Sequence, residues 1–416
     1  MIFSQETFNL EKFKKKQQTR KYLRAKKQLL ESIENRQYGF VEDLINKDFK
    51  KIFLVVKKLK EFENILFLGT GGSSLGGKTL VSIVRNQFYN SKKPNIFFIE
   101  NVDAKPINNL LKEINLNKTA CVVTSKSGET IETISQYFLI ENLFKEKEIS
   151  LKDKIFIITE EKESTLKKIQ ENKKLIFLPH PKSVGGRFSV FSIVGLIPAA
   201  LANIDINKFC EGAKEFLIML KEDKNFDDYF LPILGLIELN KNGVNMSVIM
   251  PYSDLLNNLS FWYRQLWAES NGKDNKGITP INSLGTVDQH SQLQLYLDGP
   301  RDKFFTLIGI QSKKDEEKML DCKISKNEIY NALHKKSMQR LLNTEMKATV
   351  EVLKKKELPL RILMIDSTDQ KLIGNLMMFF FMETIFGCLL LNVNPFDQPA
   401  VEDGKKLTKE FLQKNE

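Results

Sequence analysis

The stretch that decides the fold occupies residues 122–133 and reads Val122-Val123-Thr124-Ser125-Lys126-Ser127-Gly128-Glu129-Thr130-Ile131-Glu132-Thr133. Residues 120–123 are a short apolar run, which predicts a buried strand. After the turn, the spacing of Ile131, Ile134 and Phe138 predicts a helix. A turn rich in serine and glycine therefore joins a strand to a helix N-terminus.

That turn carries groups that can bind an anion, namely Ser125, Lys126, Ser127 and Thr130. Backbone N–H groups at a helix N-terminus have no partner within the helix, and the helix dipole is positive there. Hydroxyls, a lysine and a glycine at such a place suit a phosphate dianion. An ordinary capped helix start can have a similar sequence, so the turn by itself leaves both interpretations open.

The composition is that of a globular protein with a sizeable core, since 42% of the 416 residues are hydrophobic. The formal net charge of +11 comes from lysines spread through every segment rather than from one basic arm. The one local basic cluster lies within residues 12–27, where we expect a solvated helix face. We therefore expect no nucleic-acid partner.

Four widely spaced cysteines are present: Cys121, Cys210, Cys322 and Cys388. They form neither a Cys-x-x-Cys motif nor a Cys/His metal spacing, which favours a reduced, cytoplasmic protein without a metal site. The N-terminus is charged from Glu6 onward and lacks the apolar stretch of a signal peptide. The longest apolar run, residues 376–393, is interrupted by Glu383, so we expect a buried helix leading into a strand and no membrane span.

Short apolar runs alternate with helical stretches along most of the chain. The first series occupies residues 65–68, 96–99, 120–123, 155–158 and 175–178, and the second residues 248–250, 304–310 and 362–365. Runs this uniformly apolar are typical of parallel strands that helices cover on both faces. A polar helical segment, residues 205–229, is expected to separate the two series.

We therefore predict an α/β fold with two doubly wound, mostly parallel sheets flanked by helices. The first domain would take residues 1–205 and would begin with a polar helical segment, residues 1–50, that wraps the outside. The second domain would take residues 206–416 and end in a C-terminal helix.

A glycine-rich turn, residues 69–79, follows directly after the first apolar run. It matches the phosphate loop of nucleotide hydrolases through Lys78 and Thr79, and Asp366 after the last apolar run could hold a magnesium ion. Alternatively, the glycines around Gly72 let a sugar phosphate approach the backbone. The turn alone leaves both alternatives open.

Arg187 directly follows Gly185 and Gly186 in a predicted loop. An arginine at such a place could stabilise a developing oxyanion, or it could form no more than a surface ion pair.

Glu269 ends the apolar stripe of a predicted helix. The stripe consists of Leu255, Leu259, Trp262 and Leu266. Gln265 lies one turn earlier, and Gly272 predicts the helix end. Burial favours the protonated form of a carboxylate, and a proton-transferring base needs such a setting. The alternative is a helix-end glutamate that reaches solvent or pairs with Lys273.

Two further polar segments carry basic groups. His290 lies in a loop beside Asp288 and Gln289, which could fix the tautomer of its ring, although a lone loop histidine is often only a surface residue. Lys405 lies in residues 394–406, a turn that feeds a helix, where it could equally belong to a solvated basic face.

Taken together and in this order, these motifs resemble those of the glucose-6-phosphate isomerase family, also called the phosphoglucose isomerases. The matching stretches are Gly71-Gly72-Ser73-x-Leu75-Gly76, Ser125-Lys126-Ser127-Gly128 through Glu132-Thr133, Gly185-Gly186-Arg187, Glu269-Ser270-Asn271-Gly272-Lys273, Gly285-Thr286-x-x-Gln289-His290, and Phe396-Asp397-Gln398-Pro399 through Gly404-Lys405. They span residues 69–405, and the strings that begin at Glu269 and Gly285 are specific to this family.

The resemblance implies two sugar isomerase (SIS) domains and the interconversion of D-glucose 6-phosphate and D-fructose 6-phosphate, a step of glycolysis and gluconeogenesis. It makes Glu269 the base that moves a proton between C2 and C1, and it places Arg187 at the cis-enediolate. It gives His290 and Lys405 to ring opening. The implied substrate-binding residues are Gly72, Ser73, Ser125, Lys126, Ser127, Thr130, Glu132, Gln265 and Gln398.

The resemblance further implies a homodimer in which His290 enters the partner's site, and a reaction without a metal or cofactor. Lys78 departs from the family pattern, which commonly has proline or a small residue there. The chain is also shorter than the longer members, so the C-terminal arms that hold the partner subunit can be trimmed. A non-catalytic sugar-phosphate sensor and an isomerase that also accepts mannose 6-phosphate remain as alternatives.

Overall fold

The computed structural model describes residues 3–85, 92–222, 225–311, 319–321 and 328–414, so Cys322 lies outside the described residues. The strands are β1 (Ser4–Phe8), β2 (Asn64–Leu68), β3 (Asn95–Ile99), β4 (Thr119–Thr124), β5 (Ile155–Thr159), β6 (Ile176–Pro179), β7 (Met246–Pro251), β8 (Thr279–Asn282), β9 (Lys303–Ile310) and β10 (Leu360–Ile365). They form two five-stranded sheets.

The helices are α1 (Arg20–Glu34), α2 (Gly39–Ile45), α3 (Phe49–Leu59), α4 (Leu75–Val84), α5 (Ala104–Glu113), α6 (Ile131–Glu146), α7 (Thr165–Lys173), α8 (Ile193–Leu201), α9 (Ile206–Lys221), α10 (Phe226–Asn240), α11 (Asn257–Asn271), α12 (Leu293–Asp298), α13 (Glu328–Leu333), α14 (Met338–Lys355), α15 (Gln370–Leu391) and α16 (Glu402–Gln413). Short 3-10 segments occupy Glu11–Gln18, Gly71–Ser73, Leu116–Lys118, Gly186–Phe188, Asp254–Leu256, Val287–Gln289 and Pro399–Val401. The predicted α/β class, with mostly parallel sheets between helices, is confirmed.

The first sheet has the strand order β3-β2-β4-β5-β6, and every neighbouring pair is parallel. Its five strands match the first series of predicted runs. Along β2, Ile65 and Phe67 pack into one core, whereas Leu66 and Leu68 pack into a second core on the opposite face. Burial on both faces is the reason that these strands have no polar alternation.

The second sheet has the order β1-β10-β9-β7-β8 and is parallel except for β1, which pairs antiparallel with β10. The prediction that residues 1–50 are helical is therefore wrong for Ser4–Phe8. Both β1 and β8 are partly exposed edge strands, which need no apolar run, and neither was predicted. Because β1 joins the second sheet, the first residues of the chain contact the second half; the boundary at residue 205 stays a prediction.

Helix α15 runs through the middle of the core, packed against α9, and all but five of its residues are buried. It is the one described helix with the length and apolarity of a membrane span, and 89% of the qualifying window is buried inside the protein. Its one acidic group, Glu383, pairs with Arg361 of β10 at 2.9 Å. The predicted strand after this helix is wrong, because Asn392 ends it in a left-handed conformation and a turn follows.

Two predicted helical faces also differ from the structure. The segment 205–229 is helical, but α9 is no polar connector, since Phe209 and Phe216 are fully buried. On α6 the buried face includes Tyr137, Ile140 and Phe144, whereas Phe138 is 44% exposed. Two adjacent stripes of α6 contain apolar residues, so the spacing predicted the helix correctly but not the face that packs on the sheet.

Glycines allow α9 and α15 to cross closely. A Cβ atom on Gly374 would lie 1.9 Å from the carbonyl oxygen of Phe209, and one on Gly212 would lie 1.8 Å from the carbonyl oxygen of Lys371. Backbone lies in the way in both cases, so a side chain would force the two helices apart.

We expect Gly374→Ala to lower the free energy of unfolding by about 1–3 kcal/mol, because an extra methyl group at a packed crossing forces backbone shifts. Gly404→Ala on α16 is the matched control, since a Cβ there meets no atom within 4 Å. The control should be neutral or slightly stabilising, because alanine favours a helix over glycine. Urea midpoints measure both variants, and equal midpoints would contradict the close crossing.

Candidate active site

The candidate site lies at the carboxyl ends of the first sheet. From β2 the chain goes to β3 on one side and then to β4 on the other, so β2 and β4 flank a topological switch point. The loops after these two strands diverge there and leave a crevice, the usual ligand position in open α/β sheets. The two predicted phosphate-contacting turns, after β2 and after β4, are these loops.

The turn after β4 is built by its own hydroxyl groups. The Ser125 hydroxyl accepts a hydrogen bond from the Gly128 N–H at 3.1 Å and lies 2.8 Å from the Thr130 hydroxyl. The Ser127 hydroxyl accepts from the Glu129 N–H at 3.1 Å. Gly128 has φ of +71°, which favours glycine. Three hydroxyls therefore lie together at the N-terminus of α6, a place where a helix can bind an anion.

Lys126 supplies a positive charge at the edge of this turn. Its ammonium lies 3.6 Å from the carboxylate of Glu160, which follows β5 and also pairs with Lys162 at 2.6 Å. Burial alone would raise the pKa of Glu160, but Lys162 and Lys126 lower it below its usual value. Glu160 is therefore a charged anchor for Lys126. Sequence analysis did not single out Glu160, although its position directly after a predicted parallel strand was a signal that could have indicated a role.

The turn after β2 connects the serine turn to the rest of the site. A Cβ atom on Gly69 would lie 2.9 Å from the carbonyl oxygen of Thr124, the last residue of β4. A Cβ on Gly71 would lie 2.8 Å from the amide nitrogen of Gln265, and one on Gly72 would lie 2.2 Å from the carbonyl carbon of Gly186. One short glycine turn thus touches the serine turn, α11 and the loop of Arg187.

The nucleotide-hydrolase interpretation of this turn is wrong. Lys78 pairs with Glu100 at the end of β3. The Thr79 hydroxyl is buried and donates to a backbone carbonyl, either that of Leu75 or that of Asn258. Asp366 follows β10, which belongs to the other sheet, so it does not lie on the neighbouring strand that a magnesium-binding aspartate needs.

Arg187 is buried and uses all of its N–H donors. Its Nε donates to Ser270 Oγ at 2.8 Å, and its Nη1 donates to Gln398 Oε1 at 2.8 Å and to Glu269 Oε2 at 3.3 Å. Its Nη2 donates to the carbonyl oxygens of Pro395 at 2.5 Å and Asp397 at 3.0 Å. Burial lowers the pKa of Arg187, and the charge of Glu269 opposes that shift. The alternative in which Arg187 forms no more than a surface ion pair is therefore wrong.

Glu269 is held by two partners near the end of α11. Gln265, one turn earlier, donates to its Oε1 at 2.9 Å, and Arg187 binds its Oε2. The side chain keeps 29% exposure, so it faces a crevice rather than closed core. The helix end at Gly272 is confirmed, but Leu255 is exposed and precedes the helix.

The residues after Glu269 fasten this helix to its surroundings. Ser270 accepts from Arg187, and Asn271 donates to the Trp267 carbonyl and accepts from the Ile278 N–H at 3.1 Å. The Lys273 ammonium donates to the Asn394 carbonyl at 2.5 Å and pairs with Asp397 at 3.2 Å, so the proposed pairing of Lys273 with Glu269 is wrong. Sequence analysis gave no role to Ser270 or Asp397, and it gave Lys273 only the pairing with Glu269 that the structure does not show.

Two predicted catalytic residues lie outside this cluster of contacts. His290 is exposed, and its ring forms no hydrogen bond with a described residue. Asp288 binds the Leu284 N–H and Ser291, and Gln289 binds Tyr252 and Thr349, so the prediction that they fix the tautomer of His290 is wrong. Lys405 pairs with Glu402 at 2.7 Å on the exposed helix α16.

Of the remaining predicted contact residues, Ser73 lies half-buried in the glycine turn and Glu132 is exposed in the first turn of α6. Gln398 is the one that the structure ties directly to the cluster, through Arg187.

Comparison with known proteins shows the family to which the chain belongs. The family described as phosphoglucose isomerase matches residues 39–416. The chain belongs to the phosphoglucose isomerase family. The probable glucose-6-phosphate isomerase of Methanococcus maripaludis is 35% identical over 380 residues, 91% of this chain and 85% of that protein. The glucose-6-phosphate isomerase of Methanocaldococcus jannaschii is 34% identical over 93% of this chain and 92% of that protein.

Two solved structures share the fold of this chain. A protein of Thermus thermophilus, described as hypothetical, superposes with a TM-score of 0.82 at 28% identity, covering 98% of this chain and 100% of its own. The glucose-6-phosphate isomerase of Chlamydia trachomatis superposes with a TM-score of 0.75 at 23% identity over 90% of this chain and 74% of its own, which shows a shared fold. The predicted phosphoglucose isomerase family, fold and enzyme class are confirmed, and the sensor alternative is set aside.

We expect Lys273→Met to release the turn at residues 394–398, because charged hydrogen bonds of this kind contribute about 1.5–3 kcal/mol each. Hydrogen exchange of the backbone amides in that turn should become roughly tenfold faster or more. Lys276→Met is the matched control, an exposed lysine in the same loop. Unchanged exchange in Lys273→Met, or equal acceleration in both variants, would show that Lys273 does not hold the turn.

Proposed function

We propose that this chain interconverts D-glucose 6-phosphate and D-fructose 6-phosphate by moving one proton between C2 and C1 through a cis-enediolate, with Glu269 as the base. The observation that carries the proposal is the glycine turn after β2. It contacts Thr124 at the start of the serine turn, and it contacts Gln265 beside Glu269. A phosphate group and a reacting carbon of one sugar can therefore lie on either side of it.

The phosphate would bind Ser125, Lys126, Ser127 and Thr130 at the N-terminus of α6. It takes no part in the chemistry, but its binding energy positions the reacting carbons. Gly72 and Ser73 would line the sugar, with Gln265, Gln398 and Glu132 as further contacts. Because Gly72 has no side chain, the sugar could lie directly against the backbone there.

The proton transfer would depend on the pairing of Glu269 with Arg187. When the carboxylate takes the C2 proton, its negative charge passes to the enediolate, which would lie close enough to Arg187 to be stabilised by its positive charge. Arg187 can therefore balance the charge before and after the transfer without moving, the kind of preorganised stabilisation that lowers barriers. Protonated Glu269 then returns the proton to C1, so one group serves both carbons.

Ring opening would use His290 and Lys405. His290 is exposed, and no residue of its loop is among the described hydrogen-bond partners of Arg187, which supports a homodimer in which this loop enters the partner's site. Lys405 would approach when the sugar binds. We place the reaction in glycolysis and gluconeogenesis in the cytoplasm, and every step assigned here uses only side chains of the protein.

Glu269→Gln should lower the turnover number by at least about 10²-fold, because general base catalysis contributes that much and an amide cannot take the proton. The measurement is a coupled assay of fructose 6-phosphate conversion with EDTA present. Glu61→Gln, at an exposed site far along the chain, is the control for loss of one carboxylate. Full activity of Glu269→Gln would remove Glu269 as the base.

Mixing two inactive variants tests the shared site. Glu269→Gln and His290→Ala homodimers should each turn over slowly. After denaturation and refolding together, we expect about a quarter of the wild-type activity, because half of the dimers are mixed and one of their two sites is intact. No recovery, with mixed dimers shown by mass spectrometry, would place His290 in its own subunit's site.

A further inference from the structure

A second cavity lies near the site but is separate from it. It has a volume of about 930 Å³ and lies between α1, the C-terminal end of α15 and residues 392–396. None of the residues assigned above to the sugar-phosphate site lines it among the described part of the chain. Its size falls in the range of small-molecule sites.

One wall of this cavity carries positive charge without a matching negative charge. Arg20, Lys21 and Arg24 of α1 line it, and no described acidic side chain forms an ion pair with them. Asp274 is the one acidic residue in the lining.

Other lysines of the same basic cluster are neutralised by acidic partners. Lys16, Lys26 and Lys27 lie within 3.9, 3.1 and 3.7 Å of Glu238, Asp227 and Glu31, respectively. The unpaired charges of α1 are therefore concentrated at the cavity, so the expected solvated face accounts for only part of the cluster.

The charges around Lys21 also indicate that this cavity favours an anion. Burial lowers the pKa of Lys21, and the nearby charges of Lys241 and Lys276 lower it further, while Glu238 opposes them. Repulsion between like charges at this wall would be relieved by an anion.

A second part of the lining is apolar. This apolar wall consists of Leu389 of α15, Val393 and Phe396, of which Phe396 is 42% exposed, and the fully buried Ile385 lies behind them. A ligand that fits both walls must combine anionic groups with an apolar or aromatic body.

We propose that this cavity binds a phosphorylated small molecule of nucleotide size, with its phosphates against Arg20, Lys21 and Arg24 and its ring against the wall of α15. Arginine suits phosphate because its planar fork donates two hydrogen bonds at once. The apolar wall would bury the ring and separate such a ligand from inorganic phosphate.

The cavity shares a wall with the catalytic centre. Pro395 lines the cavity, and its carbonyl oxygen accepts from Arg187 at 2.5 Å. The ring of Phe396 packs against Phe188, next to Arg187, with a centroid separation of 5.3 Å. A ligand that shifts this turn would shift Arg187, so binding is expected to change the KM for fructose 6-phosphate. This coupling rests on the proposed isomerase activity, whereas binding does not.

Binding is tested by calorimetry with ATP, pyrophosphate, inorganic phosphate and adenosine as probes on the full chain. We expect ATP to bind with a Kd below about 1 mM and Arg20→Gln/Arg24→Gln to weaken it by about tenfold or more. The control Lys14→Gln/Lys15→Gln removes the same charge from exposed positions of the same cluster. A third variant, Lys126→Met, should leave this binding in place, because it alters only the serine turn.

Several results would overturn the inference. These are no ATP binding at several millimolar, equal weakening in both double variants, or loss of binding in Lys126→Met alone. Pyrophosphate or phosphate that binds as tightly as ATP would remove the role of the apolar wall, and adenosine that binds as tightly would remove that of the phosphates. If ATP binds as expected while the KM for fructose 6-phosphate stays constant, the binding site is supported and its coupling to Arg187 is refuted. Absence of any isomerase activity would refute the proposed function alone.

Discussion

The geometry of the candidate site depends on the hydrogen bonds of one buried guanidinium. A buried charge is tolerated only when its donors are satisfied, and arginine has five of them in a rigid fork. Those of Arg187 go to two places, the end of α11 and the turn at residues 395–398. Segments more than 80 residues and more than 200 residues away along the chain are thereby held against the same side chain. Any movement of one of them would leave a buried donor unsatisfied.

A second constraint is the close approach of three backbones around the switch point. Gly71 and Gly72 have Gln265 and Gly186 where a side chain would be, and Gly69 has the end of β4. The glycines thus let the turn after β2 lie against the end of β4, against Gln265 of α11 and against Gly186, which precedes Arg187.

The core beneath the site, like the site itself, contains a buried arginine that is paired with a glutamate. Arg361 and Glu383 form a buried ion pair, and Thr306 accepts from the guanidinium as well. Burial raises the pKa of Glu383 and Arg361 opposes that shift, so the charges survive only as a pair. Tyr263 of α11 lies beside them, and the same charges act on it. Trp262 and Tyr263 also contact Phe380 of α15, so the helix that carries Glu269 is packed onto α15 by aromatic contacts.

By itself the sequence predicted eight of the ten strands, because parallel strands that helices cover are largely apolar, and it indicated the residues of the candidate site, because turns that bind a phosphate need glycine, serine and charge. It did not predict β1 or β8, since edge strands need no apolar pattern, nor the face of α6, whose neighbouring stripes are both apolar. Only the tertiary structure decided that Glu269 pairs with Arg187 rather than Lys273, and that Lys273 holds the turn at residues 394–397. Those contacts end on backbone carbonyls or span more than 80 residues, and neither a carbonyl nor a long-range neighbour has any signature in a single sequence.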